Sequence, residues 1–192
     1  MSVTAGELRV GTSSWSAESW VGTFYPQGTA PHEYLAHYAS RFDTVEVDAT
    51  LYRTPTERMV DGWRDKTPPG FLFAAKVPQI ITHEKLLESC ADDLGAFLKV
   101  MKRLGEILRK GKVLTTDFAY IRWLGDRKGI EERTQRCDRL ILDRRRDMGR
   151  WIPSIRRLIA DGTAVYGYFN NHYAGHAIGS IELFQEMWGA SA

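Results

Sequence analysis

Short strand-like apolar runs alternate with helical segments along most of this chain, and four of those runs close on a polar side chain. Alternation of this kind specifies a parallel sheet with helices packed outside it, because parallel neighbours need a crossover long enough to hold a helix. The runs are Leu8–Gly11, Asp43–Asp48, Phe71–Val77, Phe118–Leu124 and Ala164–Phe169. Between them the apolar spacing predicts helices. One is opened by Pro31 and carries Tyr34, Leu35, Tyr38 and Phe42. A second follows Thr54-Pro55-Thr56-Glu57, read as a capping box with Pro55 at the first helical position, and turns Met59, Val60 and Trp63 inward. A third runs from about Leu86 to Arg109. A fourth passes through Met148, Trp151, Ile155, Leu158 and Ile159, kinked at Pro153 or starting near Trp151, and the last runs from His176 to Trp188.

The polar ends of the strands are the unusual feature. Strands buried on both faces usually read as unbroken apolar runs. Here period two sets Val45 and Val47 on one face and Glu46 and Asp48 on the other. Lys76, Arg122 and the pair Asn170-Asn171 come at the ends of three further strands. Parallel strands bring those ends together, on the side where α/β folds bind ligands. Glu46, Asp48, Lys76 and Arg122 sum to zero formal charge, so they can cluster without an uncompensated buried ion. A structural ion-pair network is one reading and a ligand site the other; recurrence on four strands favours the site. In that site Glu46 serves as acid or base, Lys76 and Arg122 hold an anion, and Asn170 orients it.

Further candidates flank this rim. Gly11-Thr12-Ser13-Ser14 is a tight turn whose amides, with Ser13, face an anion in the alternative reading. Trp15 and Tyr25 wall a pocket or cover the mouth of the sheet, and Tyr52, Asn171 and His176 join the candidate substrate contacts. His83 follows a strand end and is either a second acid–base group or a helix-start residue without chemical duty. His172 and His176 are four apart but lack the glutamate of the HExxH pattern, so no metal site is assigned. Arg144-Arg145-Arg146 lies among aspartates and reads as a solvated helix face, with nucleic-acid binding as its alternative.

Composition excludes several classes. With 26 basic and 24 acidic residues in 192, the net charge of +2 marks neither a nucleic-acid nor a membrane binder. No apolar run is long enough to cross a bilayer, and the first residues lack a signal-peptide pattern, which predicts a cytosolic chain. Two cysteines, Cys90 and Cys137, rule out a disulfide framework by count.

Several ordered motifs together carry a resemblance. They are Gly11-Thr12-Ser13-Ser14-Trp15, Phe24-Tyr25-Pro26, Phe42-Asp43-Thr44-Val45-Glu46-Val47, and Phe73-Ala74-Ala75-Lys76-Val77-Pro78 with Ile81-Thr82-His83. Asp117-Phe118-Ala119-Tyr120-Ile121-Arg122-Trp123 and Tyr168-Phe169-Asn170-Asn171-His172-Tyr173-Ala174-Gly175-His176 complete the set. The chain resembles the domain of unknown function 72 family (YecE-like) from residue 8 to about 109 and from about 115 to 188. The resemblance implies a TIM-like (β/α) barrel with no established activity and no known cofactor. Glu46, Lys76, Arg122, Asn170 and Asn171 stand at family-typical positions, whereas Asp48 departs from the asparagine of the family.

A TIM barrel has eight strands and typically about 250 residues. Five strands are legible here, and the family's further strands are missing between Arg109 and Phe118. Lys110-Gly111-Lys112-Val113-Leu114 reads as the junction of an internal deletion, near 110–115, in a single barrel-like domain of residues 1–192. Because the last strand of a barrel pairs with the first, the survivors are expected in the order Phe118–Leu124, Val165–Phe169, Leu8–Gly11, Asp43–Val47, Phe71–Val77. The fold expected is α/β: an incomplete barrel, about five parallel strands in an open arc with outer helices. Its exposed edges leave room for a homo-oligomer. Two functions remain open: a protein binding or converting a small polar or anionic metabolite, and a non-catalytic truncated barrel acting as an interaction module or remnant.

Overall fold

The structure, a computed structural model, describes residues 6–105 and 118–190. The expected deletion junction lies outside the described residues. The described residues hold five strands: β1 (Leu8–Thr12), β2 (Thr44–Val47), β3 (Leu72–Ala75), β4 (Phe118–Trp123) and β5 (Ala164–Phe169). The α-helices are α1 (Tyr34–Ala39), α2 (Glu57–Asp65), α3 (Ala91–Met101), α4 (Arg127–Glu131), α5 (Arg145–Ala160), α6 (Asn171–Ala174) and α7 (Ala177–Ala190). Every strand pairing is parallel, as the β–α alternation requires.

The strands form two sheets, ordered β4-β5-β1 and β2-β3. A parallel bridge between Ser13 and Glu46 links them, with Ser14 N donating to Glu46 O at 2.9 Å. The spatial order is therefore the one expected, and among the described residues the sheet is not closed: the arc ends at β3 and β4. The seam between β1 and β2 has a specific cause. Tyr38, from α1, inserts its hydroxyl between the strands, where it accepts from Thr12 N at 2.9 Å and donates to Thr44 O at 3.1 Å. A Cβ at Gly11 would stand 2.2 Å from Thr44 O, so only glycine allows this approach.

Alternation along each strand separates two faces. Val10, Val45, Val47, Ile121, Trp123, Val165 and Phe169 enter the large core under the helices. Trp123 stacks on Phe169 at 4.1 Å and Phe184 of α7 covers both. Burying each such side chain contributes about 1.5–3 kcal/mol. The other face of the arc carries Ala164, Tyr166 and Tyr168, packed against Leu72 and Ala74 of β3. β3 thus meets β5 across the concave side, although two strands separate them in the sheet order.

Local corrections follow from packing. The third helix starts at Ala91, not near Leu86; Leu86 and Leu87 are exposed at φ 48° and 68°, in a turn after β3. Their apolar character imitated a helical face that the chain does not bury. The second helix is capped by Thr56, whose hydroxyl accepts from Met59 N at 3.3 Å, so Pro55 precedes the cap instead of opening the helix. Val60 is buried, but Met59 is on the exposed side. α5 starts at Arg145 and runs through Pro153 on its exposed face.

Candidate functional site

At the carboxyl ends of β2, β3 and β4 one carboxylate organises the polar groups. The Glu46 side chain is 0% exposed, on a strand buried at every position and flanked by β1 and the edge strand β3. Its Oε2 lies 2.9 Å from Arg122 Nη2 and its Oε1 lies 3.9 Å from Lys76 Nζ. Tyr120 donates its phenolic hydrogen bond to Oε1. Asp48, just past β2, pairs closely with Lys76 and lies 3.7 Å from Arg122 Nη2. Lys76, Arg122 and Asp48 remain 23%, 25% and 33% exposed, so the group is closed below and open above.

Two carboxylates and two cations balance, as the sequence implied, and the arrangement is reciprocal. Burial pushes the Tyr120 phenol above its ordinary range, and the Glu46 carboxylate, by hydrogen bond and by charge, pushes it the same way. Tyr120 is accordingly a neutral donor. Tyr168, two positions before Asn170, is raised by burial and reaches Thr44 Oγ1 at 2.8 Å.

A cavity of about 660 Å³ opens beside this group. Glu46, Lys76, Arg122, Tyr120, Tyr166 and Tyr168 supply its polar lining, and β3, α3 and β4 supply apolar walls. It lies between the two ends of the arc. Its size is that of an ordinary small-molecule pocket.

The structure thus brings together Glu46, Asp48, Lys76 and Arg122 of the residues singled out from the sequence. It does not bring the others to the cavity. Asn170 caps α6 by accepting from His172 N at 2.9 Å. Asn171 Oδ1 accepts from Ala177 N at 3.0 Å and Trp20 Nε1 at 3.3 Å. His176 is buried and takes the amide of Gly179 on Nδ1 at 3.2 Å; burial lowers its pKa. These three side chains hold backbone at the start of the last helices. His83 is exposed in a π-helical turn over Ile80–Glu84, with Nδ1 2.7 Å from Thr82 Oγ1. Ser13 sits on the β1–β2 bridge with its hydroxyl buried. Trp15 packs edge-on against Trp63 and Phe73, and Tyr52 is 71% exposed. None of these lines the cavity.

Tyr120, Tyr166 and Tyr168 were the residues that charge alone did not reveal. The signal for them was present: period two from Arg122 selects Tyr120, and its register partner across β5 is Tyr166. Among the described residues no group of three or more His, Cys, Asp or Glu side chains is placed to hold a metal, and no helix is long and apolar enough to cross a membrane.

Comparisons with known proteins agree with one another. The family described as protein of unknown function DUF72 matches this chain over residues 9–111 and again over 107–192. The UPF0759 protein YecE of Escherichia coli is 34% identical over 97 residues, which cover 50% of this chain and 33% of YecE. The UPF0759 protein YunF of Bacillus subtilis is 28% identical over 122 residues, covering 63% of this chain and 42% of YunF. The matched stretches therefore span less than half the length of these curated relatives. A DUF72 family protein from Thermotoga maritima superposes with a TM-score of 0.61 at 20% identity, over 97% of this chain and 100% of that one. One from Enterococcus faecalis gives 0.65 at 16% identity, over 95% and 98%.

Proposed function

This chain belongs to the DUF72 family, and we propose that it binds a small polar or anionic metabolite in the cavity beside Glu46, Lys76 and Arg122, at the carboxyl ends of an incomplete TIM-like barrel. The observation that carries the reading is Glu46: a fully buried carboxylate that meets residues from β4 and from just past β3 at the mouth of a cavity. A structural network needs no adjoining space of that size. In a reaction, Glu46 is the acid or base, Lys76 and Arg122 engage the polar head, and Tyr120 keeps Glu46 oriented. Asn170, expected from the sequence to orient the ligand, has no part in this reading because its side chain caps α6. Support for one barrel-like unit with an internal deletion near 110–115 comes from the family match, whose two stretches overlap at residues 107–111.

A thermal-shift screen of metabolite pools tests the proposal on the full chain, with Lys76→Ala and Arg122→Ala alongside. A ligand is expected to raise the melting temperature of the native chain and not of the variants. Equal stabilisation of all three would move the site elsewhere, and no response from the native chain to any pool would remove the reading. A second reading, an interaction module, is favoured by the open arc, which ends at β3 and β4. Light scattering across a concentration series checks it: association into a dimer supports a covering partner copy, and a constant monomer mass opposes it.

A further inference from the structure

Resting on the reading of this cavity as the binding site, and narrowing its polar or anionic ligand to the uncharged case, we propose that the ligand is an amphiphile, an apolar body carrying an uncharged hydroxyl or amide head. The walls are segregated by chemistry. α3 and the turn after it contribute Phe97, Leu98, Met101 and Leu104, and β3 contributes Leu72. A wholly polar ligand would leave this apolar surface against water-bound groups, whereas an apolar body removes it from solvent.

The head follows from the atoms left open. Glu46 Oε2 and Arg122 Nε are buried and make no hydrogen bond among the described residues. Arg122 Nη2 stands 2.9 Å from Glu46 Oε2 as an ion pair, but it is not aligned for a hydrogen bond. The carboxylate oxygen needs a donor and the guanidinium nitrogen needs an acceptor. Nε belongs to the guanidinium that touches Oε2, so the two opposite needs sit side by side. One hydroxyl or amide answers both. A carboxylate or phosphate offers acceptors only. Charge points the same way: Lys76 already faces Asp48 and Arg122 already faces Glu46, so an added anion brings an excess charge into a partly desolvated, balanced group.

The test uses the full chain with isotope-labelled methionine methyls and two probes of one skeleton, phenylbutanol and phenylbutanoate. Met101 lines the cavity and reports occupancy by its methyl shift. Phenylbutanol is expected to shift the Met101 signal saturably, with phenylbutanoate binding about tenfold more weakly, a difference of about 1.4 kcal/mol. Leu98→Trp, at a partly exposed wall position, is expected to weaken the alcohol by filling its space. Equal or tighter binding of the carboxylate at Met101 overturns the uncharged head while leaving the site in place. No saturable Met101 shift with either probe overturns the apolar body; the charged rim is then judged separately by the metabolite screen.

Discussion

The Tyr38 hydroxyl donates to the carbonyl oxygen of Thr44 at 3.1 Å, and through that contact a helix side chain takes a place in the sheet. The phenolic oxygen of Tyr38 in turn accepts from Thr12 N, so β1 and β2 are joined by a phenol where two backbones would otherwise pair. Tyr38→Phe leaves a buried amide and a buried carbonyl short of a partner. Each such group costs about 1–3 kcal/mol, so urea denaturation should show a loss of at least about 2 kcal/mol. Gly11→Ala should be comparably damaging, because the added methyl meets the carbonyl oxygen of Thr44, a backbone atom that cannot swing away. Wild-type stability in both variants would mean that the seam is not held this way.

Alkaline pH should unfold the chain early. Tyr25, Tyr38 and Tyr168 are almost wholly buried, and burial raises all three phenols above their ordinary value of 10.0. Tyr173 is pushed up to about 12 for the same reason. Between the ordinary phenol value and the raised one, the unfolded chain has released its protons while the folded chain still holds them. Stability is therefore full below pH 10 and falls as pH rises above it. The three buried phenols together set a slope of about 4 kcal/mol per pH unit, steep against a total of about 5–15 kcal/mol. Tyrosine absorbance should rise in one cooperative step with loss of circular dichroism; gradual titration of folded protein from pH 10 would contradict this.

The Glu46–Arg122 pair separates a site from mere scaffolding. Removing one member of a buried ion pair costs about 3–5 kcal/mol, while replacing both by apolar residues is often neutral. Glu46→Leu alone should be strongly destabilised, and Glu46→Leu with Arg122→Met should recover most of the loss. The double variant should also lose every ligand response of the native chain. If it keeps that response, the pair is structural and the ligand binds elsewhere. Tyr120→Phe removes a hydrogen bond to a charged oxygen and should cost about 1.5–3 kcal/mol by the same denaturation measurement.

The strand order was legible because the family resemblance implied a barrel, in which the last strand pairs with the first, and side-chain facing follows from period two. Glu46, Lys76 and Arg122 met where parallel strands had to bring them. What sequence hid was the use of polar groups that hold the backbone. Asn170, Asn171 and His176 follow β5 as Lys76 follows β3, and nothing local distinguishes a helix cap from a ligand contact. Leu86 and Leu87 failed for the opposite reason: helical spacing cannot register that a chain turns into positive φ. Tyr120 was hidden by its chemistry, since a tyrosine on a strand passes for core until a carboxylate is found opposite it.

Asn171 gives the sharpest check on that distinction. Its Oδ1 accepts both from Ala177 N, at the first turn of α7, and from Trp20 Nε1, in the aromatic loop after β1. One side-chain oxygen thereby ties the first βα loop to the last helix. Asn171→Ala deprives two partly buried donors at once and should lower stability by about 1–3 kcal/mol. Asn171→Asp retains an acceptor oxygen, gains charge at a helix start, and should restore much of the loss. If Asn171 touched a ligand instead, both variants would shift its dissociation constant, and the order of their stabilities would not follow their ability to accept. Calorimetric melting without ligand, followed by a titration with whichever probe binds the native chain, separates the two; capping predicts changed melting temperatures with an unchanged dissociation constant.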